Sequence, residues 1–196
     1  MRGGPSDLAG RRRPQPGRPA RLGAVAGLAA ARTLAAAAVG LPLVLSLAAA
    51  VSRQGIDRPW LPDLGVRFSF GVDGIAVPLV LLTAAIGALV VAHAWVEVPE
   101  GGTPATFLGC LLLVEAGALA TFTARDAVLF FVAFELVLVP MWVLISRYGD
   151  RHDDEARADA GHRFVLYTAF GSTLMLVGIL ALVTFAGTSD LRELAA

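Results

Sequence analysis

The sequence predicts an all-α, polytopic membrane helix bundle of about five spans, and three observations lead there. Of 196 residues, 56% are hydrophobic and 16% are charged. A soluble domain has about 45–50% apolar and about 25% charged residues. Mean hydropathy is +0.69. The apolar residues fall in blocks of about twenty, the length a helix needs to cross a hydrocarbon layer about 30 Å thick. The strict apolar/polar alternation that a membrane barrel needs is absent.

Residues 1–28 read as a tail, in which Arg11, Arg12, Arg13, Arg18 and Arg21 alternate with Pro14, Pro16 and Pro19. Such a composition buries too little apolar surface to fold alone. Residues 29–196 form the transmembrane region. The first uncharged run, near 33–51, is Ala-rich, and Arg32 at its edge can snorkel to the interface. The second, near 74–96, contains only His93, close to its end. The third, near 104–124, contains only Glu115; Thr103 is placed to cap it and Pro104 suits a first helical position. The fourth, near 127–146, contains only Glu135. The fifth, near 164–186, has no charge.

Arginine distribution sets the orientation. With the N-terminus in the cytoplasm, Arg2, Arg11, Arg12, Arg13, Arg18, Arg21, Arg147, Arg151, Arg157 and Arg163 lie inside. Arg53, Arg58, Arg67, Arg125 and Arg192 lie outside. This asymmetry favours N-terminus in, with the connection 52–73 outside and 146–162 inside. Trp60, Trp95 and Trp142 fall near the expected interfaces, as an aromatic belt would place them. The chain carries no net charge, so no global field draws it to nucleic acid. Its single cysteine, Cys110, reads as a packing residue, and no Cys cluster is present for an iron–sulfur centre or disulfide framework. No glycine-rich nucleotide loop follows a strand-like segment.

Glu135 carries the functional signal. It lies about 12 Å into its run at 1.5 Å per residue, deep inside hydrocarbon. An ionisable group there costs a few kcal/mol or more, and such groups face a bundle interior or a wet path and carry protons or ions. Arg125 and Asp126 form a short turn between the third and fourth spans, which makes these an antiparallel hairpin. Glu115 and Glu135 lie at similar distances from that turn, so both acids sit at one depth on neighbouring helices. Two such carboxyls can relay or share a proton. Pro140, five residues after Glu135, removes one helical hydrogen bond and crowds the carbonyl of Leu136. That freed carbonyl could hold water beside the glutamate. Each acid could instead be structural, bonded to a backbone or hydroxyl partner, and the proline could serve packing alone. His93 could be an interface histidine or a relay member.

The segment RDAVLFFVAFELVLVPMWVLI, preceded by LLLVEAGALATFTA, resembles the proton-channel subunits of respiratory complex I, subunit M of the bacterial NADH–quinone oxidoreductase above all. GVDGIAVPLVLLTAAIG (71–87) and RFVLYTAFGSTLMLVGILAL (163–182) resemble the flanking helices of that family. The resemblance covers about residues 65–186. It implies a membrane-arm subunit of a redox-driven proton pump, in the bacterial inner membrane, with other membrane-arm subunits and lipid as partners. NADH, flavin, iron–sulfur clusters and quinone would belong to those partner subunits and no cofactor to this chain. In the family, the glutamate matching Glu135 pairs with a lysine on a later, broken helix. All basic residues here are Arg, so that lysine is missing, and the chain reads as the N-terminal part of a longer antiporter-like fold. The alternatives are a subunit of a multisubunit sodium/proton antiporter and a non-functional truncated fragment.

The orientation is testable with fusions. A reporter placed after Gly149 should read cytoplasmic and one after Asp63 external; the reverse pattern would sink the topology.

Overall fold

Long uncharged runs have no solvent for their backbone polar groups in a bilayer, so they close those bonds within helices. The computed structural model describes residues 33, 55–62, 65–96, 102–150 and 152–195. The tail at 1–28 and nearly all of the first expected span fall outside these residues. The described chain begins with two strands, β1 (Ile56–Leu61) and β2 (Val66–Phe70). Helices follow: α1 (Ala76–Val96), α2 (Pro104–Thr123), α3 (Ala127–Leu136), α4 (Leu138–Tyr148), α5 (Asp154–Ala186) and the short α6 (Leu191–Leu194). Four spans among the described residues are long and apolar enough to cross a membrane, with α3 and α4 together making one of them.

Local chemistry explains the boundaries. Thr103 caps α2 by accepting from the Thr106 N–H, and Pro104 occupies its first turn, as the sequence suggests. Asp126 caps α3, accepting from the Val128 and Leu129 N–H groups. The expected helix interruption falls at Val137, three residues before Pro140. There the Val137 N–H turns back to the Phe134 carbonyl at 3.2 Å. Because Pro140 has no N–H, the Leu136 carbonyl loses its usual donor, and the helix divides at the neighbouring residue.

Two expectations need correction in detail. The connection 52–73 holds an antiparallel β-hairpin, pairing Ile56 with Phe70 and Arg58 with Phe68. Gly65, at a φ of 67°, takes the left-handed turn position that L side chains rarely adopt. Trp60 meets Phe68 edge-on on this hairpin. The fifth span starts ten residues early, at Asp154 rather than Phe164, capped by Asp153. Its charged first turns carry the ion pairs Arg157–Asp154 and Arg163–Asp159. A 33-residue helix is about 50 Å long, so its charged start can project beyond an apolar layer of about 30 Å.

Helix α2 packs against α1, α3 and α4, while α5 runs along α4. Much of the outer surface is apolar: Phe185 is 94% exposed, and Leu89, Tyr167 and Phe170 are largely exposed. That is the surface expected of helices solvated by lipid or by further membrane helices, not by water.

The hairpin, the 124–126 turn and the segment after α5 meet at one end. Phe70 bridges to Ala124, and Asp126 to Asp190. Asp126 is fully buried at their junction. Its Oδ1 accepts the two capping N–H groups of α3. Its Oδ2 accepts from the Arg67 N–H at 3.0 Å and from the Ser189 hydroxyl at 2.5 Å. At the opposite end the Tyr148 hydroxyl donates to the Thr103 carbonyl at 3.0 Å, closing the α2–α4 hairpin. On the hairpin surface, Arg67 grips Asp57 through two hydrogen bonds. The guanidinium holds the Asp57 carboxyl below its ordinary range. This exposed pair therefore contributes at neutral pH, and its contribution disappears as pH falls through the lowered pKa.

Asp126→Asn should keep the helix cap but set an amide N–H, in place of Oδ2, against the Arg67 N–H, while the Ser189 hydroxyl keeps the Gly65 carbonyl as an acceptor at 3.2 Å. A loss of about 3 kcal/mol is expected, against about 1 kcal/mol for Ser189→Ala. Thermal unfolding in detergent should rank the two that way, and equal Tm values would mean that Asp126 is not the tie.

Candidate functional site

Glu115 and Glu135 are carried by α2 and α3, whose shared turn is fixed by Asp126. Each lies eight residues from its end of that turn, Thr123 and Ala127, so the two are at similar depth. Their directions differ. Gly117 marks the face of α2 that meets α3, since a Cβ there would lie 3.5 Å from the Ala133 carbonyl and against Val137. Two helical residues turn about 200°. Glu115 therefore points away from α3, towards α1, where a Cβ on Gly87 would lie 2.8 Å from its carboxyl carbon. No hydrogen bond joins the two glutamates among the described residues.

Glu115 is 7% exposed, and its Oε1 is buried without a hydrogen-bond partner. Glu135 is half-buried, and its Oε1 is likewise buried and unpartnered. Glu135 stands two residues before the break at Val137. A backbone polar group unsatisfied in hydrocarbon is costly, and a buried carboxyl more so. Among the described residues, neither Oε1 has a backbone or hydroxyl partner.

The remaining sequence candidates fall into place. Arg125 and Asp126 do form the turn, and both do more than reverse the chain. The Arg125 side chain lies over Gly71, where any Cβ would collide with its guanidinium, and its Nε is buried without a partner. Its backbone N–H donates to the Ser69 carbonyl at 2.9 Å. Pro140 is buried in α4. His93 is exposed in the last turn of α1, away from both acids, which suits the interfacial reading. Cys110 is buried, as a packing residue would be. Sequence reasoning missed Gly87 and Ser189. A glycine 28 residues before a glutamate carries no local signal of contact. Ser189 lies 63 residues from Asp126 in a polar stretch that any surface loop could contain.

Four apolar spans, one of them divided beside a half-buried acid, are the architecture of a polytopic membrane protein. Residues 124–196 match the family described as NADH:quinone oxidoreductase/Mrp antiporter, TM. Those residues belong to this family. It is 36% identical over 143 residues to F(420)H(2) dehydrogenase subunit M of Methanosarcina mazei, covering 70% of this chain and 28% of that one. It is 40% identical over 139 residues to NAD(P)H-quinone oxidoreductase chain 4 of Acaryochloris marina, covering 70% and 25%. The chain thus spans about a quarter of the length of these curated relatives. Its fold is similar to a chain of the Mrp complex from Dietzia sp. DQ12-45-1b, with a TM-score of 0.74 and 27% identity over 86% of this chain and 18% of that one. Respiratory complex I from Thermus thermophilus with bound NADH contains a chain similar at a TM-score of 0.69 and 32% identity, covering 83% and 34%.

Proposed function

We propose that this chain forms part of a membrane-arm subunit of an NADH–quinone oxidoreductase and moves protons through Glu135, with Glu115 as a second titrating group. The observation that carries this reading is the Glu135 carboxyl: its Oε1 is buried without a partner, beside the break at Val137. A carboxyl left unsatisfied within an apolar span suits a group that gains and loses a proton, and a divided helix supplies backbone carbonyls for water next to it. The cation that would pair with Glu135 is not within the described spans. All basic residues of the chain are Arg, and those described lie in the hairpin, in turns, near helix ends or in the charged start of α5. NADH, flavin, iron–sulfur clusters and quinone would act in partner subunits, and this chain would couple to them through the membrane arm. We place it in the bacterial inner membrane with the N-terminus in the cytoplasm, from the arginine asymmetry.

A second reading, a subunit of an Mrp-type sodium/proton antiporter, is supported by the higher TM-score to the Mrp chain. The identity to quinone oxidoreductase subunits and the higher identity to the complex I chain favour the first.

In the assembled complex in membrane vesicles, Glu135→Gln should abolish or strongly reduce proton translocation while leaving assembly intact. Glu135→Asp should keep part of it, because the carboxylate survives on a shorter arm. Normal pumping by an assembled Glu135→Gln complex would make the acid structural. Translocation driven by a sodium gradient and not by NADH would favour the antiporter.

A further inference from the structure

Glu115 has surroundings of its own. Its carboxyl lies in the α1–α2 interface, with Oε1 buried and unpartnered. Beside it is a cavity of about 130 Å³, bounded by Thr83, Gly87 and Val91 on α1 and by Leu111, Glu115 and Ala118 on α2. That volume is roughly ten times the least that holds one water. Gly87 keeps the arrangement open. A Cβ there would lie 2.8 Å from Cδ and Oε1 of Glu115 and 2.9 Å from Oε2, so any other residue would displace the carboxyl. The Thr83 hydroxyl donates to the Leu79 carbonyl at 2.8 Å, which leaves its oxygen able to accept from a further donor.

We propose that this cavity is a water site, in which bound water hydrogen-bonds to the Glu115 carboxyl and the Thr83 hydroxyl. It gives Glu115 a proton supply between α1 and α2 that does not pass through Glu135. Gly87 is the positioning residue that holds the carboxyl at the mouth of the cavity. A wholly apolar cavity stays dry, but Glu115 and Thr83 line this one, and water is the small ligand that offers both donor and acceptor to a carboxyl and a hydroxyl. The purpose of the site rests on the proton-moving reading above; the presence of water in it does not.

Thiol labelling separates the two. A thiol reacts with a methanethiosulfonate reagent as its thiolate, a form that needs water around it. In the assembled complex, with Cys110→Ala removing the native thiol, Ala118→Cys places a thiol at the cavity wall. Leu113→Cys places one five residues away, about 7.5 Å along α2, on its exposed apolar face. With membrane-permeant 2-aminoethyl methanethiosulfonate, the thiol at 118 should react at least tenfold faster than that at 113. Adding Gly87→Val should remove most of this difference. Equal rates at 118 and 113 would overturn the water site, as would be found if a lipid chain or a neighbouring helix filled the cavity. A difference that persists in Gly87→Val would overturn the role of Gly87. The labelling does not depend on pumping, so failure here leaves the Glu135 proposal intact, and normal pumping by Glu135→Gln leaves the water site intact.

Discussion

Four donors converge on the two oxygens of Asp126: two N–H groups from the start of α3, one from β2 and the hydroxyl of Ser189. An ionised carboxylate has about four acceptor sites, and here all are used. The carboxylate fixes where α3 begins, and with Thr123 and the extended residues 124–126 it sets the register of α3 against α2. It also ties that turn to the hairpin and to the segment closing α5, which brings three distant parts of the chain to one end of the bundle. The depth match of Glu115 and Glu135 follows from this register, because each acid is counted outward from the same turn.

The middle of the bundle obeys a different rule. Both oxygens of Asp126 have partners, whereas Glu115 and Glu135 each keep a buried oxygen without one among the described residues. Polar groups without partners are the expensive exceptions in a folded structure, and they concentrate where a ligand, a proton or water completes them. The glycines sit accordingly. Gly117 lets α2 approach α3 at Val137, beside the break below Glu135, and Gly87 makes room for Glu115 against α1. One helix thus presents its two sides to two separate chemical environments.

Much of this was legible from composition and spacing. Thr103 and Pro104 announced the start of α2, and the Arg125–Asp126 turn announced the antiparallel pairing, because caps and turns act over a few residues. Pro140 announced a break, although the break settles at Val137, where the displaced carbonyl ladder is relieved. The hairpin was not legible: a six-residue strand containing Pro59 and Asp57 has neither clean alternation nor strong strand propensity, and β2 is tied to Asp126, 59 residues from Arg67. The early start of α5 is hidden because five of its first ten residues are charged, so no apolar run marks it. The rise per residue gave the depth of the acids without their direction. Direction around the helix axis depends on which helix packs on which face, and there Gly87 and Gly117 decide.

On the proposed function, Glu135 changes its protonation when the complex works. Infrared difference spectroscopy of the assembled complex, triggered by adding the electron donor, reads this directly through the carboxyl C=O band. A band present in the unsubstituted complex and lost in Glu135→Gln is the expected result. A difference spectrum in which Glu135→Gln leaves every carboxyl band unchanged would mean that Glu135 keeps one protonation state throughout, and would contradict its role in moving protons.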